Sequence, residues 1–122
     1  MKIPLVDDDP DLIEVVYLAL SQVGHDVTTS PAGATAITAL RENPPDILIT
    51  DLMMAEVDGL ELCDLVKASP QLTNMKVIFI SARTGDLWKQ KAKDCGASGF
   101  IEKPIDPITF AAKVEQIAAH AV

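Results

Sequence analysis

Short apolar runs rich in β-branched residues alternate along the chain with longer stretches in which apolar residues recur at helical spacing. The runs lie at residues 3–6, 26–29, 46–50, 76–80 and 98–101. Such alternation predicts βα units joined into a parallel sheet. The third and fourth runs, DILIT and KVIFI, are almost continuously apolar, which is typical of strands covered by helices on both faces. The pattern therefore predicts an α/β domain built as a doubly wound, five-stranded sandwich.

The predicted helices carry start and stop signals. Three capping residues are each followed by a proline that suits the first helical position: Asp9-Pro10, Ser30-Pro31 and Asp106-Pro107. Gly24 and Gly96 fall where the first and fourth helices should end. Pro4 conflicts with a central first strand, because proline cannot donate a hydrogen bond to a ladder. We therefore expect Pro4 at a strand margin or at a local irregularity.

Composition restricts the function classes that fit this fold. The chain has 122 residues, 48% of them hydrophobic, and this length favours one domain spanning residues 1–122. No apolar stretch is long enough to span a bilayer, so we expect a cytoplasmic protein without a membrane partner. The formal net charge of −8 argues against nucleic-acid binding by this domain. Cys63 and Cys95 lack CxxC or histidine neighbours and are interpreted as reduced core residues.

Polar side chains gather where four of the predicted strands end. In an open parallel sheet, ligands bind beyond the carboxyl ends of the strands. Those ends carry Asp7, Asp8 and Asp9 after strand one, Thr50 and Asp51 after strand three, Ser81 after strand four, and Glu102, Lys103 and Pro104 after strand five. Carboxylates, a hydroxyl and an amine should therefore share one rim of the sheet.

Most of these residues have a simple structural explanation when taken alone. Asp9 suits a helix cap, worth about 1 kcal/mol, and Asp7 and Asp8 suit a first helical turn. Ser81 could be an ordinary turn residue, just as a lysine at a strand end could be solvated. Asp51 is harder to explain in this way, because a carboxylate that closes a buried strand loses solvation unless a partner compensates it.

Together the acids indicate a cation site. Two carboxylates about 4 Å apart repel by roughly 4 kcal/mol at an effective dielectric of about 20, so Asp7, Asp8 and Asp51 would resist ionising together without a bound cation. Hard oxygen ligands favour Mg²⁺, with Mn²⁺ as an alternative. A carboxylate beside Mg²⁺ can attack a phosphoryl group, whose peripheral charge the metal, Lys103 and Ser81 would stabilise.

Four motifs follow one another along the chain: DD at 7–8, DLMMAEVDG at 51–59, ISA at 80–82 and GASGFIEKP at 96–104. In this combination the chain resembles, over essentially its whole length, the receiver domain of bacterial two-component response regulators, the CheY-like domains. The resemblance implies a flavodoxin-like (βα)5 fold with strand order 2-1-3-4-5. It also implies a phosphoacceptor that promotes its own phosphorylation and dephosphorylation, not an enzyme acting on a separate substrate.

The resemblance assigns chemical roles to individual residues. Asp51 would be the phosphoacceptor, assisted by the amine of Lys103 and the hydroxyl of Ser81. No organic cofactor is implied. The implied Mg²⁺ ligands are Asp8, Asp51, the backbone carbonyl of Met53 and, directly or through water, Asp7.

The resemblance also implies a switch, with departures from the family pattern. Ser81 and Phe100 would be the switch residues, and the Lys103–Pro104 peptide bond would be cis. Phe100 stands where tyrosine is frequent in the family, so a switch that ends in a tyrosine hydrogen bond does not apply here. Ala55 replaces a usual proline and Ile105 a common phenylalanine, but neither change removes a chemical group from the pocket.

Two surfaces are expected to bind partners. A sensor histidine kinase or histidine phosphotransfer protein would dock on helix one through Leu12, Val15 and Ala19, although a broadly buried helix also explains these apolar residues. The basic edge of helix four, with strand five and helix five, would contact a downstream protein, a tethered output domain or a second copy in a homodimer. A solvated face is the simpler interpretation of its lysines, Lys89, Lys91 and Lys93.

Two other function classes stay open at this stage. A pseudo-receiver would keep the fold and bind partners without phosphorylation, but such domains typically lack one or more pocket residues. Asp7-x-Asp9 at a strand end also resembles the nucleophile motif of haloacid-dehalogenase-type phosphatases. That motif normally continues to a threonine or valine where this chain has Asp11, and it would leave Asp51 unexplained.

Overall fold

The computed structural model describes residues 1–30, 33–42, 44–52, 59–72, 74–82 and 85–119. Strands and helices alternate along the chain, as the sequence predicts. The strands are β1 (Lys2–Val6), β2 (Asp26–Ser30), β3 (Ile47–Asp51), β4 (Lys76–Ser81) and β5 (Gly99–Glu102). The helices are α1 (Pro10–Ser21), α2 (Gly33–Glu42), α3 (Gly59–Ala68), α4 (Asp86–Asp94) and α5 (Phe110–Ala119), with a 3-10 turn at Pro70–Leu72.

The five strands form one parallel sheet in the order β2-β1-β3-β4-β5. The predicted flavodoxin-like, doubly wound fold is therefore confirmed. Among the described residues, no helix has the length and apolar character needed to cross a membrane. Because all strands run in one direction, their carboxyl ends lie along a single edge, where the predicted polar residues follow them.

Successive strand residues pack into two cores, one on each face of the sheet. Ile49 and Ile78 face α1 and α5, where they pack with Phe110 and other fully buried side chains. Leu48 and Phe79 face the opposite way, into the core that contains residues of α2, α3 and α4. This alternation explains why the predicted strands three and four are almost continuously apolar, since both of their faces are covered.

Helix ends follow the predicted signals in most places. The Asp9 side chain accepts hydrogen bonds from the amides of Asp11 and Leu12, with Pro10 at the first helical position. Gly24 and Gly96 have φ angles of 88° and 92°, a left-handed conformation that favours glycine after a helix. These predicted boundaries are confirmed.

Two predicted boundaries differ from the structure. Pro4 lies in the middle of β1 opposite Thr28, so the first of the two expectations, a strand margin, is wrong; the described pairing with β3 begins only at Leu5. Helix α5 begins at Phe110 instead of beside Pro107. Asp106 still organises this start, because its Oδ1 accepts from the amide of Ile108 and its carbonyl accepts from the amide of Phe110.

Ala19 does not belong to the surface predicted for donor docking. Its side chain is 8% exposed and packs in the core between α1, α5 and the sheet. A helix that contacts both the sheet and a neighbouring helix buries a face broader than one stripe. Leu12 is half-buried against the same core, whereas Val15 and Leu18 are 36% and 50% exposed.

Gly59 permits a close approach between the start of α3 and the end of β3. A Cβ atom there would meet the backbone oxygen of Asp51 and lie 2.9 Å from both Leu52 Cα and Phe79 Cε1. We expect Gly59→Ala to lower the free energy of unfolding by about 3 kcal/mol, since buried backbone must shift to relieve the overlap. Gly85→Ala, where a Cβ meets nothing within 4 Å, should lose at most about 1 kcal/mol. Equal urea midpoints for the two variants would contradict this packing argument.

Candidate phosphoacceptor and metal site

Four strand ends bring the predicted polar residues to one rim of the sheet. Asp7 follows β1, Asp51 and Ser81 are the last residues of β3 and β4, and Lys103 follows β5. Asp7, Asp51 and Ser81 are at most 7% exposed. Hydrogen bonding joins the last two strands here, because the Lys103 amide donates to the Ser81 carbonyl over 2.8 Å.

Three carboxylates form the predicted acidic cluster. One oxygen each from Asp7, Asp8 and Asp51 lie within 4.8 Å of one another. Asp8 is exposed while the other two are buried, so the cluster opens to solvent on the Asp8 side. Asp9 stands apart as the helix cap described above, and its amide donates to Asp7 Oδ1 over 2.8 Å. Of the three consecutive aspartates, Asp7 and Asp8 therefore belong to the acidic cluster, and Asp9 caps the helix.

Lys103 supplies the positive charge that faces this cluster. Its Nζ lies 3.1 Å from Asp51 Oδ2 and 3.5 Å from Asp7 Oδ2. Burial lowers the pKa of Lys103, but the attraction of Asp7 and Asp51 outweighs it, so the pKa is raised overall. The ammonium is therefore charged at neutral pH. The Lys103–Pro104 peptide bond is cis, as predicted.

Asp7 is fully buried, and its pKa is raised overall. Burial raises its pKa most strongly, the Asp9 amide lowers it, and the charge of Asp51 raises it again. Its Oδ2 atom is fully buried and makes no hydrogen bond within the described part of the chain. Such an oxygen, held beside two further carboxylates, has the chemistry of a ligand to a cation.

The donor set fits Mg²⁺ or Mn²⁺. Hard divalent cations prefer carboxylate oxygens, and Mg²⁺ usually takes one or two carboxylates and keeps several waters. Asp8 and Asp51, with Asp7 directly or through water, are the described residues that would hold the ion. Met53, the predicted carbonyl ligand, lies outside the described residues.

The raised pKa of Asp7 predicts how stability depends on pH. The metal-free folded protein binds a proton at Asp7 more tightly than the unfolded chain, whose value is near 3.8. This stabilisation is complete below the unfolded value and is lost as pH rises through the folded value. We expect Asp7→Asn to remove that decline, because asparagine cannot ionise. Urea midpoints in chelator from acid to neutral pH should converge for the two proteins at low pH and favour the variant at high pH.

At neutral pH, saturating Mg²⁺ should make the unchanged protein more stable than Asp7→Asn. The ion stabilises a folded protein by an amount that grows with the logarithm of its affinity, and the variant has lost one carboxylate of the cluster. Asp9→Asn is the control, because Asp9 lies outside the cluster. Equal stabilisation of Asp7→Asn and the unchanged protein by Mg²⁺ would contradict a metal role for Asp7.

Ser81 and Phe100, the predicted switch residues, lie at the end of β4 and on β5. Ser81 is 1% exposed at the end of β4, on the rim that also carries Asp51. Phe100 is half-buried on β5, opposite Phe79 of β4, and packs against the α2, α3 and α4 core. Their positions agree with the predicted roles, and the roles themselves stay predictions.

Thr50 and two lysines of α4 make contacts that the sequence does not predict. Thr50 is buried, and its hydroxyl donates to the Asp51 carbonyl over 3.1 Å. On α4, Lys89 Nζ lies 2.7 Å from a Glu102 carboxylate oxygen, and Lys91 lies 4.9 Å above the Trp88 ring. Thr50 is the polar residue in the otherwise apolar run ILIT, which is a sequence signal for its contact. No sequence pattern predicts partners for the two lysines.

The two cysteines are free, as predicted. Cys63 is buried and its Sγ donates to the Cys95 carbonyl over 3.2 Å. Burial raises the pKa of both thiols, above all that of Cys63. A protonated thiol is a poor nucleophile. Cys63 is a core side chain, and Cys95 is half-buried and packs against the same core.

The fold and this rim define a doubly wound α/β domain with an acidic cluster at the carboxyl ends of its strands. Its sequence and its structure are both similar to those of one known family. The chain belongs to the response regulator receiver domain family, whose model matches residues 3–115. Receiver domains are not enzymes in the usual sense of acting on a separate substrate.

Individual relatives agree with this assignment. A Leptolyngbya boryana protein named "uncharacterized 14.6 kDa protein in sodA1 3'region" is 32% identical over 116 residues, or 95% of this chain and 88% of that protein. The DNA-binding response regulator MtrA of Mycolicibacterium smegmatis is 30% identical over 113 residues, or 93% of this chain. The chain spans about half of MtrA, 48% of its length. Chemotaxis protein CheY4 of Vibrio cholerae superposes with a TM-score of 0.90 at 26% identity, covering 95% and 97% of the two chains.

Proposed function

We propose that this domain accepts a phosphoryl group on Asp51 from a histidine kinase or a histidine phosphotransfer protein, in a reaction that depends on Mg²⁺. One observation carries the proposal: the Lys103 ammonium lies 3.1 Å from an oxygen of Asp51, beside the Asp7 and Asp8 carboxylates. This partly buried pairing supports the proposal because it brings a candidate nucleophile, a cation and candidate metal ligands to one rim. We also propose that residues 1–122 form this single domain.

The residues of the rim divide the chemistry among them. An oxygen of Asp51 forms the new bond to phosphorus, and the bond from phosphorus to the donor's imidazole nitrogen breaks, so the imidazole leaves with that electron pair. Lys103 and the Ser81 hydroxyl stabilise charge on the peripheral phosphoryl oxygens. When bound at Asp7, Asp8 and Asp51, the divalent ion would neutralise further charge on those oxygens. Hydrolysis of the acyl phosphate would return Asp51 to its carboxylate.

Phosphorylation would then change the surface formed by α4, β5 and α5. The phosphoryl group brings about −1.5 to −2 of charge if it behaves like other phosphates, and both Lys103 and Ser81 can turn toward it. Phe100 would follow into the space that Ser81 leaves. Taking the domain from 1:99 to 99:1 in favour of the active state requires about 5.5 kcal/mol of preferential interaction.

The proposed chemistry requires a phosphoryl donor and a downstream partner, and each would bind a different surface. The donor would dock on α1 beside the pocket, through Leu12 and Val15 of the predicted patch together with Leu18, which takes the place of buried Ala19. The α4, β5 and α5 surface would contact a downstream protein, a tethered output domain or a second copy. The cytoplasmic location predicted from the sequence stays part of this proposal, as does the absence of nucleic-acid binding by this domain.

The direct test is chemical labelling of the unmodified protein. Acetyl phosphate with Mg²⁺ should add one phosphoryl group, seen by intact mass, and the same mixture with excess chelator should not. Reduction of the acyl phosphate followed by peptide mass analysis should place the label on Asp51. A label on Asp7 would favour the phosphatase alternative, and a folded protein that takes no label from acetyl phosphate or a histidine kinase would favour the pseudo-receiver.

A further inference from the structure

Cys63 of α3 and Cys95, which follows the last residue of α4, bring two free thiols together. The Cys63 sulfur lies 3.2 Å from the backbone oxygen of Cys95, and both side chains pack in the core on the α3 and α4 side of the sheet. One turn further along α3, Lys67 covers Gly96, because a Cβ atom added at Gly96 would lie 3.1 Å from Lys67 Cε. Two successive turns of α3 therefore contact the end of α4, which fixes one thiol relative to the other.

The two thiols also face one another. Burial raises the pKa of both, and a hydrogen bond between them raises the pKa of Cys63 further but lowers that of Cys95, so Cys63 is the donor. The Cys95 thiol donates instead to the carbonyl of Ala92 over 3.2 Å, which leaves the lone pairs of its sulfur for Cys63. Cysteines whose side chains point apart cannot be bridged without backbone movement, but these two side chains already meet.

Accessibility and acidity give the two thiols different roles. Cys63 is fully buried, whereas Cys95 is half-buried and is the thiol that a small molecule in solution reaches. The hydrogen bond from Cys63 stabilises the Cys95 thiolate, so Cys95 ionises first. The thiolate is the form that attacks a disulfide. Cys95 is therefore the attacking thiol, and Cys63 is placed to resolve the product that forms on it.

We propose that Cys63 and Cys95 form a redox-sensitive pair, which closes a disulfide between α3 and the end of α4 when a small-molecule disulfide oxidises it. The Cys95 thiolate attacks one sulfur of the reagent, which forms a mixed disulfide and releases one reagent thiolate. Cys63 then attacks the Cys95 sulfur and releases the second, and the two released thiolates take up the protons of the two cysteines. The protein is oxidised by two electrons and the reagent is reduced by two. The second step is intramolecular, which favours it over attack by a thiol in solution.

The bond ties the C-terminal end of α4 to α3. Because α4 belongs to the surface that phosphorylation is proposed to change, the tether limits how far α4 responds to a phosphoryl group on Asp51. Only this consequence rests on the proposed function, since the pairing of the two thiols does not involve Asp51. In a reducing compartment a bond of this kind is transient, so it couples the domain to oxidising conditions and is not a permanent structural link.

The unchanged full chain tests the proposal, with glutathione disulfide as the probe. After incubation under native conditions, N-ethylmaleimide in urea caps the remaining thiols, and the intact mass is measured without reductant. We expect a product that has lost two hydrogen atoms and takes no maleimide, and peptide mapping should join the Cys63 peptide to the Cys95 peptide. The urea midpoint of this product should exceed that of the reduced protein, because a bridge that fits the folded state restricts the unfolded chain.

Two matched variants test the assigned order of attack. Cys63→Ala should stop at a stable mixed disulfide on Cys95, whereas Cys95→Ala should leave Cys63 unreacted over the time that converts the unchanged protein. A persistent mixed disulfide on the unchanged protein, cross-linked dimers, reaction only in urea, or a lower urea midpoint after oxidation would each overturn the proposal.

Labelling of Asp51 by acetyl phosphate in the same samples separates this proposal from the proposed function. Normal labelling without the cross-link removes the disulfide alone, and the cross-link without labelling supports the disulfide while removing the proposed function. Where both occur, the amide shifts that phosphorylation causes in α4 should be smaller in the oxidised protein than in the reduced protein. Equal shifts in the two forms, measured in ¹⁵N spectra, would show that the bond does not restrain α4.

Discussion

Replacing Asp51 with asparagine is expected to abolish phosphorylation by acetyl phosphate and by a histidine kinase, lowering the labelled fraction by at least about 10²-fold to the background level. The amide lacks the anionic oxygen that forms the bond to phosphorus. It has nearly the shape of the carboxylate, so the buried end of β3 should keep its packing. Without metal, the loss of one of three repelling charges should offset the loss of the contact to Lys103, so the free energy of unfolding should change little.

Asp46→Asn provides a matched control for this experiment. Asp46 is exposed and precedes β3 at the opposite end of the strand from Asp51. It should label like the unchanged protein, with the same dependence on Mg²⁺. Persistent labelling of Asp51→Asn, mapped to Asp7, would show that the nucleophile had been assigned to the wrong strand. Loss of labelling in both variants would instead indicate damage to the fold, which urea midpoints would reveal.

The position of the site could be predicted because it follows from strand direction. In a parallel sheet, residues distant in sequence meet wherever strands end, and Asp7, Asp51, Ser81 and Lys103 each follow or end an apolar run. The two cores could be predicted for a similar reason, since continuous apolar runs require cover on both faces. Neither inference depended on the length of any loop.

Details that depend on packing between elements could not be predicted. Ala19 was assigned to the surface because helical spacing alone does not say how much of α1 its neighbours cover. The sequence predicts Pro4 at a strand margin or a local irregularity, because it does not show that pairing with β3 begins only at Leu5. The Lys89 contact to Glu102 joins a helix to a strand end, and no local pattern encodes that distance.

The acidic cluster is faced by a positive charge. Among the described residues, the lysine ammonium that contacts the acidic cluster belongs to Lys103. The structure therefore predicts two separable effects for its loss. One is slower phosphoryl transfer, and the other is a less stable metal-free fold. A residue that contributed only packing would not make both the labelling rate and the stability of the metal-free fold depend on its charge.

Lys103→Gln is expected to slow labelling of Asp51 by about 10²-fold, the usual effect of removing one preorganised group that stabilises transition-state charge. It should also destabilise the metal-free protein at neutral pH by about 1–2 kcal/mol, less than the 3–5 kcal/mol typical of breaking a fully buried pair, because the lysine is 20% exposed. Lys93→Gln should change neither quantity.

Magnesium and acid should each restore stability to Lys103→Gln without restoring its rate. Bound Mg²⁺ neutralises the acids in place of the ammonium, and protonation of Asp7 removes one of the repelling charges. The transferred phosphoryl group would still lack the Lys103 contact. Combining Lys103→Gln with Asp51→Asn should cost less stability than the sum of the separate changes, since each removes a member of one charged pair. Additive stabilities in that double-mutant cycle, measured by urea unfolding in chelator, would show that the contact between Lys103 and Asp51 contributes nothing to the fold.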